Sequence, residues 1–250
     1  MKLCAIYNVF DGIELLPGSI KTIYKHVEEI IIVWQDISNF GEKYDPHPEM
    51  AKTLSDYFHK ITFIKFDPII DIGGAMNERA KRNLGMDYAR RLECTHFISM
   101  DVDEYYEDFE RCKSLYIESG NKGSVCRLQT YFKKPIFQFD IPEDYFVPFI
   151  HQLGPETKNG SSSYKFWVDP TRTVNEDDIV ELPIFMHHFS WCRKDIERKA
   201  RNSSANIKIK NGRILDDYNS ADLGEGYFLT NWNRRIKIVD DIFGLSSIFE

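Results

Sequence analysis

The sequence has no C-x-x-C pair: its five cysteines, Cys4, Cys94, Cys112, Cys126 and Cys192, are odd in number and scattered. That spacing excludes a zinc knuckle and a disulfide framework, and it fits reduced thiols in a cytoplasmic protein. Long apolar runs are missing too. The longest, IIIVW at 30–34, is far too short to cross a bilayer, and MKLCAIYNVFDG lacks the apolar stretch of a signal peptide. Basic residues are not in excess. The net charge of −7 excludes a uniformly basic nucleic-acid coat, although it permits a local basic patch. What is left is a soluble chain of 250 residues, enough for one large domain with a substantial core.

The first hundred residues alternate simply. KLCAIY (2–7), EIIIVW (29–34), ITFIKF (61–66) and HFISM (96–100) read as strands. The unbroken apolar run of the second suits a strand covered on both faces. Helices are expected over about 13–25, 50–59 and 75–92. In the last, Met76, Ala80, Leu84, Tyr88 and Leu92 recur as a packing stripe, with Arg79, Arg82 and Asn83 on another face. This rhythm predicts an open, mostly parallel α/β sheet. Beyond about residue 120 the elements become short and β-like (124–132, 135–139, 145–150, 164–168, 183–189). The most loop-like stretch is GPETKNGSSS at 154–163, and a helix is expected after Trp191.

The chemistry lies in FISMDVDEYY, residues 97–106, where an apolar strand runs into Asp101, Asp103 and Glu104. Ligands of open α/β sheets bind beyond the carboxyl ends of strands. Two Asp one residue apart in extended chain point the same way, so their oxygens can converge on Mn2+ or Mg2+ bridging to substrate phosphates. Haloacid-dehalogenase-type phosphatases place such a motif on the first strand and follow it with a small residue; here three strands precede it and Tyr105 follows. Nucleotidyltransferases carry a glycine-rich basic loop after the first strand, and YNVFDGIELLP has no basic residue.

KRNLGMDYARRLECTHFISMDVDEYY (81–106) resembles the R-N-x-G, helix, strand, D-x-D-E block of GT-A glycosyltransferases, in the family-2-like variant. IYNVFDGIELLPGSI (6–20) is similar to the opening strand and loop of that family. IIIVWQDISNFGE (30–42) is similar to its second strand, with WQDIS where the family commonly has paired acids. The likeness covers about the first 110 residues. Beyond them only MHHFSWCRKDIERK (186–199) resembles the family, through a late His.

The resemblance implies a GT-A type α/β fold: a Rossmann-like nucleotide-sugar-binding half over 1–120 and a smaller mixed acceptor half over 121–250. It implies a metal-dependent transfer of a sugar from a nucleoside-diphosphate sugar to a hydroxyl acceptor on a glycan, lipid-linked sugar, protein or modified DNA base. Asp101, Asp103 and His188 would hold Mn2+ or Mg2+. Tyr7, Asn8, Asp36, Arg82, Asp101 and Arg193 would meet the nucleotide sugar, Arg82 through its fork of donors. For Arg82 the alternative is an ion pair with a nearby acid on its helix; for Trp167 and Trp191, core packing stands against stacking on a sugar or base. An inverting enzyme also needs a carboxylate base. Candidates are Asp144, Asp169, Glu176, Asp177, Glu181, Asp222 and Glu225, with Asp177, Glu181 and Asp222 in front. The basic run Arg193, Lys194, Arg198, Lys199, Arg201, Lys208 and Lys210 leaves room for an anionic acceptor, nucleic acid included. A nucleotidyltransferase and a catalytically silent carbohydrate-binding module are the competing readings.

Overall fold

The structure is a computed structural model, which describes residues 1–203, 213–220, 223–230 and 232–250. Its centre is built from β1 (Leu3–Val9), β2 (Glu29–Trp34), β3 (Ile61–Lys65) and β4 (His96–Asp101), joined through α1 (Leu16–Ile23), α2 (His47–Thr53) and α3 (Gly74–Arg91). These strands lie parallel in the order β3-β2-β1-β4. Alternation sorts their side chains. Leu3, Ala5, Tyr7, Ile30 and Ile32 face one apolar cluster, while Cys4, Ile6, Ile31 and Val33 face a second beneath α3. Both faces are covered, which is why the second strand has no polar alternation.

The expected mostly parallel core therefore forms, with antiparallel strands toward its edges. After β5 (Glu104–Tyr105) and α4 (Phe109–Ser119) come β6 (Gly123–Phe132), β7 (Phe137–Phe139), β8 (Phe146–Gln152) and β9 (Ile179–Trp191). β8 runs antiparallel to both β4 and β6; β9 runs parallel to β6 and antiparallel to β5. The described chain continues in α5 (Ile196–Asn202), α6 (Arg213–Ser220), β10 (Phe228–Leu229) and β11 (Arg234–Ile238). No helix among the described residues is long and apolar enough to cross a membrane.

Three expectations are corrected. Only the second half of the Met76–Leu92 stripe packs: Leu84, Tyr88 and Leu92 lie partly buried against the cluster beneath α3, Met76 is 47% exposed and Ala80 is exposed, and the fully buried face is Asn77, Lys81, Arg82, Gly85, Met86 and Ala89. The cause is Gly85, where an added Cβ would lie 2.3 Å from Ile6 Cγ2. A glycine sets the closest approach of helix to sheet, and an apolar periodicity cannot register it. The segment 164–168 is no strand; only Val168 bridges, to Phe146. The second expected helix, 50–59, divides into α2 and a 3-10 turn over Ser55–Lys60.

Candidate active site

A cleft of about 510 Å³ opens beyond the carboxyl ends of β1 and β4. Asn8, Phe10, Gln35, Asn39 and Lys81 line one wall, Asp101, Asp103 and Glu104 the floor, and Glu143, Tyr145, Asp169, Arg172 and Trp232 the far side. The D-x-D is not the extended pair the spacing suggests. Asp101 ends β4, Val102 and Asp103 form a turn, and Glu104 opens β5. Each acid is consequently gripped by a different element.

Asp101 is held from α3. Arg82, 1% exposed, donates to both Asp101 oxygens at 3.0 Å, to Ser99 Oγ at 2.8 Å and to Glu78 Oε1 at 2.8 Å. Burial works to raise the Asp101 carboxyl, but Arg82 and then Arg172 outweigh it and the result is a lowered pKa. Arg82 thus joins the ion pair on its own helix to a grip on the motif.

Glu104 is held by Arg172. Nη2 of Arg172 donates to Oε2 at 3.0 Å and to Ser99 O at 2.6 Å, and Nη1 closes a second contact on Oε1. Oε2 also accepts the N–H of Asp101 at 3.0 Å. The last acid of D-x-D-E therefore ties the motif turn to the second half of the chain.

Asp103 is held from the chain just beyond β9. Arg193 sits on its Oδ2, with Lys199 Nζ 3.7 Å away. The β5–β9 pairing sets Glu104 opposite His188, and Nε2 of His188 stands 3.8 Å from Asp103 Oδ1. That oxygen is buried and has no hydrogen-bond partner among the described residues. Burial opposes its charge, yet Arg193, Lys199 and His188 hold the carboxyl far below the usual range. Gly12 makes room for the clamp: at φ 72°, its missing Cβ would sit 2.8 Å from Arg193 Cζ. An unpartnered carboxylate oxygen facing an imidazole nitrogen is a donor pair suited to a divalent cation. Among the described residues no third Asp, Glu, His or Cys completes a protein-only cage.

The other expected residues divide. Asn8 lines the cleft with both amide atoms buried and unpartnered. Tyr7 turns into the core, its hydroxyl 2.9 Å from Ser19 Oγ, because β1 alternation sends it to the opposite face from Asn8. Asp36 pairs with Lys65 at 2.8 Å outside the lining, where Gln35 stands instead. Asp177 is exposed and Glu181 pairs with Arg127 at 3.3 Å; both lie off the cleft, whereas Asp169 lines it. Asp222, Lys208 and Lys210 lie outside the described residues. Trp191 is 8% exposed and packs edge-on against Trp232, whereas Trp167 is 66% exposed.

No family model and no curated protein matches this sequence. Among solved structures, the 1–349 fragment of S. aureus TarS in complex with UDP aligns at a TM-score of 0.51 with 10% identity, covering 87% of this chain and 70% of that one. The same fragment with UDP-GlcNAc aligns at 0.48 with 12% identity, covering 90% and 68%. TarS is a GT-A glycosyltransferase, and what is shared at this identity is the fold.

This chain has the GT-A fold.

Within that fold, sequence reasoning passed over Arg172 and Lys81. Arg172 is the sole Lys or Arg between residues 166 and 192, a lone cation facing a motif with three acids. Lys81 stands beside Arg82 in the R-N-x-G block, 4% exposed, donating to Val9 O at 2.7 Å, and burial pushes its ammonium down to about 7.

Proposed function

We propose that this protein is a glycosyltransferase that moves a sugar from a nucleoside-diphosphate sugar to a hydroxyl acceptor, with Mn2+ or Mg2+ held by Asp103 and His188. The observation that carries the reading is the buried, unpartnered Oδ1 of Asp103 beside His188 at the floor of a GT-A cleft. A divalent cation bound there supplies positive charge to the departing diphosphate. Mg2+ and Mn2+ need only one or two protein ligands when substrate phosphates and water complete the shell. Asp101 takes no direct ligand role in this reading, because both its oxygens belong to Arg82.

The remaining residues do the positioning. Asn8 offers a donor and an acceptor to the nucleoside, beside the Phe10 ring. Arg193 and Lys199, poised over Asp103, lie where a diphosphate would share their charge. Asp169 has no ion-pair partner among the described residues and lies on the acceptor side, so it is the base of an inverting transfer. Away from the cleft the basic run after Trp191 is paired internally, Arg198 with Asp195 at 2.9 Å and Arg201 with Glu42 at 3.0 Å, which disfavours a nucleic-acid acceptor.

A thermal-shift panel of UDP, UDP-GlcNAc and the GDP-, CMP- and dTDP-sugars, with and without Mn2+, tests the reading. A specific ligand raises the melting temperature by mass action. Metal-dependent stabilisation by one nucleotide class, with nucleoside diphosphate released on turnover, is the expected result. Release of pyrophosphate instead would identify a nucleotidyltransferase, and a panel with no response would overturn the proposal.

A further inference from the structure

Trp167 is out of place for a packing residue. At 66% exposure it is the most exposed large apolar side chain among the described residues, although its backbone is firmly held. The N–H of Phe146 donates to Trp167 O at 2.8 Å, and Val168 next to it bridges to Phe146 with its side chain buried. At this single bridge Trp167 and Asp169 flank Val168, whose side chain is buried, so both leave on the other side, with Trp167 outside the cleft lining. Asp169 lines the cleft, and so do Tyr145 and Phe146. The Tyr145 ring meets the indole edge-on at 6.1 Å.

From this we infer that Trp167 is an acceptor platform, and that the acceptor is a saccharide with one pyranose ring stacked on the indole. The inference rests on the glycosyltransferase reading and adds the substrate class. An isolated exposed apolar side chain is ordinary on a protein surface. Trp167 differs in being tied by its backbone to Phe146 and standing two residues from Asp169, a cleft carboxylate with no ion pair among the described residues. A protein partner needs a broad patch with a buried apolar centre, and the neighbours Lys165 and Pro170 are exposed and do not extend the indole into one. A sugar needs less. The axial C–H groups on one face of a pyranose are apolar and meet a flat aromatic ring, while its rim hydroxyls require acceptors and donors. Asp169 and Glu143, both lining the cleft, supply acceptors on that side. A ring on Trp167 would direct the next sugar, or its own hydroxyl, toward Asp169.

The test uses the full chain labelled with 5-fluorotryptophan, its Trp167 resonance assigned through Trp167→Phe. With UDP and Mn2+ present, chito-, cello-, malto- and xylotetraose and simple methyl glycosides are titrated to tens of millimolar. The expected result is a saturable shift of the Trp167 resonance by at least one saccharide. Trp167→Ala then raises the KM for that acceptor roughly tenfold or more, Trp167→Tyr restores most of the loss, and UDP affinity stays unchanged in both. A Trp167 resonance unmoved by every saccharide in protein that binds UDP overturns the platform alone. So does an unchanged acceptor KM in Trp167→Ala. Failure to bind any nucleotide would instead remove the glycosyltransferase reading beneath it.

Discussion

Nε2 of His188 lies 3.8 Å from Oδ1 of Asp103, and that oxygen accepts no hydrogen bond among the described residues. Neither group alone is a metal site. In the proposed function they would together hold a cation whose other ligands come from diphosphate and water. Asp103→Asn and His188→Ala are therefore each expected to weaken Mn2+-dependent UDP binding by at least tenfold, about 1.4 kcal/mol. Metal-free binding should change little. Titration calorimetry with Mn2+ and with chelator separates the two, and equal loss in both would point to a role without metal.

Arg172 bears on stability before it bears on chemistry. It is 6% exposed and its counter-charge, Glu104, is 1% exposed, so removing the guanidinium leaves a buried carboxylate uncompensated. Arg172→Met should cost about 3–5 kcal/mol in urea unfolding at neutral pH. The sign with pH follows from the stranded acid. Its folded pKa then lies above the unfolded one, so the variant binds more protons when folded and loses stability as pH rises. The deficit should be smaller at pH 5 than at pH 8, and adding Glu104→Gln should recover part of it.

How far this site could be read from the chain depends on sequence distance. The four central strands were legible as short, mainly apolar segments, the second of them unbroken, and EIIIVW keeps its bounds, Glu29–Trp34. Asp103 was legible because D-x-D-E stands at the end of such a run. The grip on that motif was not. Arg172 reaches Glu104 across 68 residues and Arg193 reaches Asp103 across 90, and neither distance leaves a local pattern. The α3 face was misread for a related reason. It buries Asn77 against the backbone of Ile69 and Lys81 and Arg82 toward β1 and β4, and a count of apolar positions assigns those polar residues to solvent. Functional sites are where local rules are expected to break.

Lys81 should show itself in the pH dependence of stability. Burial lowers its folded pKa to about 7 from an ordinary value of 10.5. Between these values the unfolded chain binds a proton that the folded chain does not, so this group raises stability with pH across that window, by about 1.4 kcal/mol per unit at most. Below pH 7 both forms are protonated and its contribution is flat. Other groups titrate there too, so the quantity to measure is the difference between wild type and Lys81→Met in urea unfolding at pH 7 and pH 9. Wild type should gain on the variant as pH rises. Parallel profiles would mean that Lys81 keeps its charge.

Asp169 offers the sharpest division between binding and chemistry. Its Oδ1 accepts the Thr171 N–H at 2.7 Å, which fixes the carboxylate at the cleft wall, and no cation pairs with it among the described residues. A base must be free of a strong counter-charge to take a proton, and of the other cleft acids Glu78, Asp101, Asp103, Glu104 and Glu143 all carry one, while Asp11 lies on the opposite wall beside Arg193. Asp169→Asn preserves shape and the turn while removing basicity. Its kcat should fall by roughly 100- to 10,000-fold, with UDP affinity and melting temperature near wild type. Glu181→Gln, off the cleft, is the matched control and should retain activity. If Asp169→Asn turns over normally, the transfer proceeds without a carboxylate base at this position, as in a retaining reaction.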